Sequence, residues 1–362
     1  MRLIHFVVFH PWRTLVVLLL GTLLGFTGFY AYQVTATFGD ITEESFRPEA
    51  AREAIEAGQQ VDPGVGGLIA GDALDPVDFG PVEPEYPNAF GEPIPDEVFE
   101  SYLLLGSDAS GALADSIIYV LRPAVGGAPI MVSLPRDLYV WNLCKERYTR
   151  INEGLGGCSG TASGPEMMAI MVEDYTGIPV DHLARIDFGG FARLIDLMGG
   201  IQVCVDNPTR DIKSHLQIDD PGCRVVDGTT ALAWVRSRHG EELVDGEWRP
   251  AGQSDFTRQT RQQDVLFQLA AKAASFTSPT NLVSRLSAVS SSIRLDSGWS
   301  FGEAVSTAWR YRGIKKADVI RFRIDVSNMR SPQGAAVLTP NRTFTDQLRE
   351  VIDLDALLER QA

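Results

Sequence analysis

Between Thr14 and Gly39 the chain carries no charged side chain, and residues 14–32 read TLVVLLLGTLLGFTGFYAY. As a helix, those 19 residues reach about 28 Å at ~1.5 Å per residue, enough to cross the hydrocarbon core of a bilayer. The run therefore predicts a transmembrane helix over 14–32. Arg2 and Arg13 precede it and acidic residues follow it. The positive-inside rule then puts residues 1–13 in the cytoplasm and everything after about residue 40 outside, on a single-pass membrane protein. Trp12, Tyr30 and Tyr32 stand where interfacial aromatics are expected. The competing reading is a cleaved signal peptide, but its apolar core is normally ~7–15 residues, shorter than this run.

The charge is as unevenly placed as the hydropathy. Of the formal net −15, residues 40–100 carry −14, from 16 acidic side chains against Arg47 and Arg52 alone. The first 39 residues carry +2, which leaves −3 for residues 101–362. A nucleic-acid partner is not expected of such a chain. Residues 40–97 also hold 8 of the 20 prolines. Segments such as DALDPVDFGPVEPEYPNAFGEPIPDE bury too little apolar surface to fold alone, so 33–97 is expected to be an irregular acidic stalk with one short helix over 48–57. Within it GVGGLIAG (64–71) lacks the Gly-Lys-Ser/Thr ending of a phosphate loop.

All four cysteines, Cys144, Cys158, Cys204 and Cys223, follow the apolar run. An even number in an oxidising compartment suggests two disulfides, with three possible connectivities. Cys144–Cys158 and Cys204–Cys223 are favoured because each closes a local loop. Zinc is the weaker alternative, because no CxxC occurs, and buried free thiols are the other.

From Val98 onward, strand-like and helix-like patterns alternate, which predicts a layered α/β domain. SYLLLG (101–106), SIIYVLR (116–122) and APIMVSL (128–134) read as strands, the last two joined as a hairpin by PAVGG. Helices are expected over 164–175, 188–198, 228–237, 255–274, 281–289 and 301–311. Further strands are expected over 182–187, 201–206 and 319–326, and the tail 343–359 has helical periodicity.

Four clusters carry chemistry. Gly106-Ser107-Asp108 ends an apolar strand and Asp115 opens the next. Carboxylates fixed at strand ends can share a hard divalent ion, Mg2+ or Mn2+, and equally well cap local turns. SLPRDLYV (133–140) sets Arg136 and Asp137 in a loop. VDGTTALAWVRSRH then places Arg236 and Arg238 two residues apart, and SDFTRQTRQQDVL follows. There Asp255 can cap a helix, while Arg258, Arg261 and Gln262 share its face. Guanidinium groups grip phosphate oxygens bidentately, so clustered arginines beside a metal suit a pyrophosphate. The chain holds 27 arginines against five lysines, so a merely solvated basic face is the competing reading. His182, His215 and His239 join no recognisable triad and read as surface or packing residues.

Taken in order, LLLGSDAS, ADSIIYVL, IMVSLPRDLYV, ARIDFGGFARLIDLMGGIQVCV, ALAWVRSRH and DFTRQTRQQDVL resemble the LytR–CpsA–Psr family over roughly residues 99–330. The resemblance implies a three-layer α/β/α domain with a mixed central sheet over 98–330; the periodicity beyond it makes 331–362 a helical tail. It implies a phosphotransferase that moves a glycopolymer from a polyprenyl-pyrophosphate carrier to peptidoglycan or a surface glycoprotein. By position, Asp108 and Asp115 resemble the magnesium-binding aspartates. Arg136, Arg236, Arg238, Arg258 and Arg261 resemble the arginines around the pyrophosphate, and Gln262 a pocket glutamine. Arg136 is expected to be catalytic, with Asp137 and Asp255 as candidate bases. The family usually has arginines and a longer insertion between its aspartates; here only ASGALA (109–114) intervenes, and Arg150-Ile151-Asn152 stands for a Lys-Ile-Asn block. A polyprenyl-pyrophosphate hydrolase, or a non-catalytic lipid-binding assembly protein, are the alternatives.

Overall fold

The structure, a computed structural model, describes residues 42–60, 93–108, 111–278 and 286–360. The expected transmembrane helix over 14–32 and the Pro-rich stretch 61–92 lie outside the described residues. No helix among the described residues is long and apolar enough to cross a membrane.

In chain order the strands are β1 (Thr42–Glu44), β2 (Phe99–Ser107), β3 (Ala114–Pro123), β4 (Ile130–Ser133), β5 (Tyr139–Asn142), β6 (Arg147–Arg150), β7 (His182–Asp187), β8 (Ile201–Val205), β9 (Thr209–Asp211), β10 (Leu216–Ile218), β11 (Gly222–Val226), β12 (Glu241–Val244), β13 (Glu247–Pro250), β14 (Ile293–Asp296), β15 (Ile320–Arg323), β16 (Val326–Arg330) and β17 (Ala336–Pro340). The helices are α1 (Pro48–Gln60), α2 (Gly164–Thr176), α3 (Phe188–Leu197), α4 (Gly228–Arg236), α5 (Asp255–Ala274), α6 (Phe301–Arg310), α7 (Phe344–Arg349) and α8 (Leu354–Glu359). Seven strands form one sheet in the order β1-β14-β7-β2-β3-β4-β15. β2 pairs antiparallel with β3 but parallel with β7, so the sheet is mixed.

Alternation along the central strands divides the core in two. Leu103, Leu105, Ile117, Tyr119, Leu121, Ile130 and Val132 face the layer holding α2, while Leu104, Ile118, Val120 and Met131 face Phe267 and Leu266 of α5. Helix α2 starts with a capping box between Ser163 and Glu166 and ends at Gly177, which takes the left-handed conformation (φ 70°). Met167, Met168, Ile170, Met171, Val172 and Tyr175 bury α2 almost all round. At the start of α4, a Cβ on Gly228 would overlap the Ala192 carbonyl of α3. Glycine there lets the two helices close and so sets the height of Arg236.

Residues 42–60, expected to be part of the irregular stalk over 33–97, pack into the domain. β1 pairs parallel with β14, and α1 buries Ala51 and Ile55, an i, i+4 pair, in the main core. Arg52 binds Asp174 at 2.7 Å. Averaging charge over the whole acidic segment hides this two-residue apolar contact. The tail also departs from expectation. β17 pairs with β16, and Phe344, Leu348 and Leu354 are buried in the core, so residues 331–360 are part of the domain. The strand expected over 319–326 is two strands in different sheets, β15 beside β4 and β16 beside β17. Of the helix expected over 281–289, residues 281–285 lie outside the described residues, and Ser287–Ser292 is a 3-10 turn.

Both favoured disulfides are present, Cys144–Cys158 and Cys204–Cys223. The second joins facing residues of β8 and β11. Replacing Cys204 and Cys223 by serine is expected to lower unfolding free energy by about 3 kcal/mol, the loop-closure value for a loop of this size, as measured by denaturant titration. No change would show that the β8–β11 ladder alone fixes the loop.

Candidate active site

β2 and β3 end and begin at a turn that carries both aspartates. A bulge between Gly106 and Ser107 shifts the register there. Asp108 closes the turn: its amide donates to Leu113 O at 3.1 Å and its Oδ1 accepts from Leu113 N at 3.4 Å. Asp115 faces inward, and Arg136 Nη1 donates to its Oδ1 at 2.5 Å. Arg136 comes from the loop after β4, where Asp137 lies 3.7 Å from its Nε and 3.4 Å from Arg150 Nε.

Helix α5 supplies the opposite wall. Its N-cap is Ser254, not Asp255; the Ser254 hydroxyl accepts from the Thr257 amide. The serine reaches the free amides from outside the first turn, which leaves Asp255 to bind arginine. Asp255 Oδ1 sits 2.8 Å from Arg258 Nη2 and 3.6 Å from Arg238 Nη1. Arg258 is only 4% exposed. Burial lowers its pKa, opposed by Asp255 and reinforced by Arg136 and Arg238. Its Nε and that of Arg136 are buried with no hydrogen-bond acceptor among the described residues. Buried guanidinium N–H groups without acceptors are costly unless an anion binds them.

Asp115, Arg136, Arg236, Arg238 and Arg258 line one polar cavity of about 110 Å3, with Asp211, Lys213, Ser214 and His239. Asp115, Arg236 and Arg258 also line a second cavity of about 250 Å3, which includes Gln262, Phe188 and Leu104. Leu104 and Leu266 of its wall continue into a third, almost wholly apolar cavity of about 340 Å3 between the sheet and α3, α5 and α6. Shared walls put the three in series. At the neck, the Arg236 guanidinium lies 4.3 Å over the Phe188 ring. Gln262 spans the elements, accepting from Ser116 Oγ at 3.0 Å and donating to Val235 O at 3.4 Å.

Several expected residues stand elsewhere. Arg261 does not reach the cavity. Its guanidinium lies 3.7 Å over the Trp234 ring and donates to Gln253 Oε1 at 3.2 Å. Burial brings its pKa down to about 10, partly offset by Asp211 and Glu242. Sharing a helix face with Arg258 was not enough, because Trp234 fills the space on its side. Asp137 and Asp255 do not line the polar cavity; each holds arginines instead. Asp108 lines none of the three cavities. His239, set aside in the sequence, is on the polar wall.

Asp211 was missed altogether. It is 1% exposed and accepts from Lys213 N, Ser214 N, Ser237 Oγ, Arg238 N and His239 N. Burial works to raise its pKa but is outweighed by these donors, chiefly Ser237, so the carboxyl sits below its ordinary range. A depressed folded pKa stabilises the fold above the unfolded value of roughly 3.9 and is lost as pH falls through the folded value. Asp211→Asn is therefore expected to remove part of the acid limb of stability below about pH 4 and to displace Arg238. Thermal melts from pH 3 to 7 check this; an unchanged acid limb would contradict it.

Residues 96–352 match the LytR_cpsA_psr family model. The chain belongs to that family. It is 33% identical over 159 residues to the probable cell wall biosynthesis protein LcpB of Corynebacterium glutamicum, covering 38% of this chain and 36% of LcpB. It is 28% identical over 197 residues to the polyisoprenyl-teichoic acid--peptidoglycan teichoic acid transferase TagU of Bacillus cereus, covering 54% and 59%. The chain thus spans between about one third and three fifths of the length of these curated relatives. The solved LytR-Csp2A-Psr enzyme from Actinomyces oris superposes with a TM-score of 0.57 at 26% identity, covering 74% of this chain and 96% of that one. The mixed α/β architecture expected of a LytR_cpsA_psr domain is present.

Proposed function

We propose that the protein is a membrane-anchored phosphotransferase that moves a glycopolymer from a polyprenyl-pyrophosphate carrier to a cell-wall acceptor, peptidoglycan or a surface glycoprotein. One observation carries the reading: four arginines and Asp115 surround a polar cavity that shares walls with a second cavity, which in turn shares Leu104 and Leu266 with an almost wholly apolar one. That pairing fits a lipid diphosphate, with phosphates among the guanidiniums and a hydrocarbon tail along the sheet. The named activity of the TagU relative supports the same reading.

Arg136, Arg236, Arg238 and Arg258 bind the pyrophosphate oxygens and hold their charge as it develops. Asp137 and Asp255 keep Arg136, Arg238 and Arg258 in place. An acceptor hydroxyl attacks the sugar-linked phosphorus, the new O–P bond forms, the bond to the lipid phosphate breaks, and the hydroxyl proton leaves with the departing polyprenyl phosphate. Mg2+, or Mn2+, would be held by Asp115, which lines the polar cavity, with Asp108, outside the three cavities at the other end of the same turn, as its second carboxylate. No group of three or more His, Cys, Asp or Glu residues is assembled among the described residues. Two carboxylates suit an ion that takes its remaining ligands from water and substrate phosphates. When bound, it would supply positive charge to the diphosphate.

The test is a transfer assay with a polyprenyl-pyrophosphate-linked oligosaccharide and peptidoglycan oligomers. Label appearing in the peptidoglycan, with polyprenyl phosphate released in equal amount, is expected. Release of phosphate with no labelled acceptor would favour a hydrolase, and binding with no turnover an assembly protein.

A further inference from the structure

The turn that carries Asp108 and Asp115 has no cation of its own: Ala109 to Ala114 are all uncharged. A cation reaches it from another strand. Arg185, on β7, donates from Nη1 to Gly111 O in the middle of the turn at 3.4 Å. It also lines the cavity shared by Asp115, Arg236 and Arg258. Its Nη2 is bound by Glu44 Oε1 of β1. Both side chains are well buried, at 15% and 17% exposure, and Arg294 Nε approaches the same Glu44 oxygen at 3.5 Å.

Backbone pairing makes this arrangement specific. β7 lies between β14 and β2, with Arg185 opposite Arg294 on one side and Leu105 on the other. β1 pairs beyond β14, with Thr42 opposite Arg294 and Glu44 opposite Asp296. Glu44 therefore reaches across β14 to meet Arg185. Arg185 Nε and Glu44 Oε2 are buried with no hydrogen-bond partner among the described residues, a cost that a salt bridge kept only for packing need not carry. Glu44 stands 12 residues after the apolar run ends at Tyr32.

We infer that Arg185 is a positioning residue, which holds the Asp108–Asp115 turn in its working conformation and is itself held by Glu44. The strand that follows the apolar run most closely in sequence is thereby linked to the site. This rests on the transferase reading only for its effect on turnover; its effect on the turn stands apart.

The experiment uses the full chain with Arg185→Ala, Arg185→Lys, Glu44→Gln and the double variant Glu44→Gln/Arg185→Ala. Hydrogen exchange of the Asp108, Gly111 and Leu113 amides is expected to quicken roughly tenfold in Arg185→Ala, with mid-strand amides of β2 and β3 unchanged. Arg185→Lys recovers part of the protection. The double variant is no worse than Arg185→Ala, because Glu44 acts through Arg185. In the transfer assay Arg185→Ala lowers kcat about tenfold, with donor KM within about threefold. Glu44→Gln carries the test alone if Arg185→Ala does not fold. Turn exchange unchanged from wild type in either single variant, or additive effects in the double variant, would overturn the inference. A wild-type chain with no transferase activity, but with turn exchange that depends on Arg185, would refute the transferase reading and support this one.

Discussion

Arg258→Ala is expected to reduce glycopolymer transfer about 100- to 1000-fold, the loss typical of one preorganised donor facing developing charge. Three features single it out among the arginines. It is the most buried of the four lining the polar cavity. Like Arg236, it lines both that cavity and the next, where the proposed donor would pass from phosphate to tail. Its partner Asp255 also holds Arg238, so alanine leaves one carboxylate with half its charge partners. Arg258→Lys is expected to restore little, since a point charge cannot keep both the Asp255 contact and a bidentate grip on phosphate. Arg261→Ala is the control. Its guanidinium stacks on Trp234 outside the cavity, so it should cost roughly 2–3 kcal/mol of stability with kcat nearly intact. Initial rates and melting curves on both variants separate the roles. Wild-type kcat in Arg258→Ala would remove it from the site.

Why Arg258 and not Arg261 could not be read from spacing is a matter of neighbours. Both lie on one face of a helix that the sequence places correctly. Which of two adjacent guanidiniums faces substrate depends on Trp234 and Gln253, brought from α4 and the loop after β13. Long apolar strands and capped helices were legible because period and capping residues are local. The short strands β9 to β13 were not, since each is only three to five residues long, too few to show a period of two. Asp211 escaped for the same reason: its five donors come from residues 213 to 239, and a single aspartate at the end of a three-residue strand carries no pattern. The apolar channel was the least legible of all. Its walls are formed by Tyr102, Val120, Met131, Leu194, Leu266 and Trp299, among others, and each of these reads on its own as ordinary core.

That channel yields the second large effect. Ala270→Phe places a ring in the apolar cavity from the α5 wall. If the carrier's tail lies there, the ring displaces about one isoprene unit. At ~0.8 kcal/mol per buried CH2, and with the tail able to shift, the loss comes to roughly 2–3 kcal/mol, or about a 50-fold rise in KM for a long-chain donor. A donor truncated too short to reach Ala270 should keep its KM. Chain-length dependence, rather than lost activity as such, is the signature. Stability moves the other way: filling an apolar cavity adds contacts, so the melting temperature should hold or rise. A variant that loses long-chain and short-chain donors equally would show that the ring acts by distorting α5, which also carries Arg258 and Gln262. One that loses neither would place the tail outside this channel. The arginines would then bind a diphosphate whose hydrocarbon stays in the bilayer, and the shared walls of the three cavities would have no part in choosing the carrier.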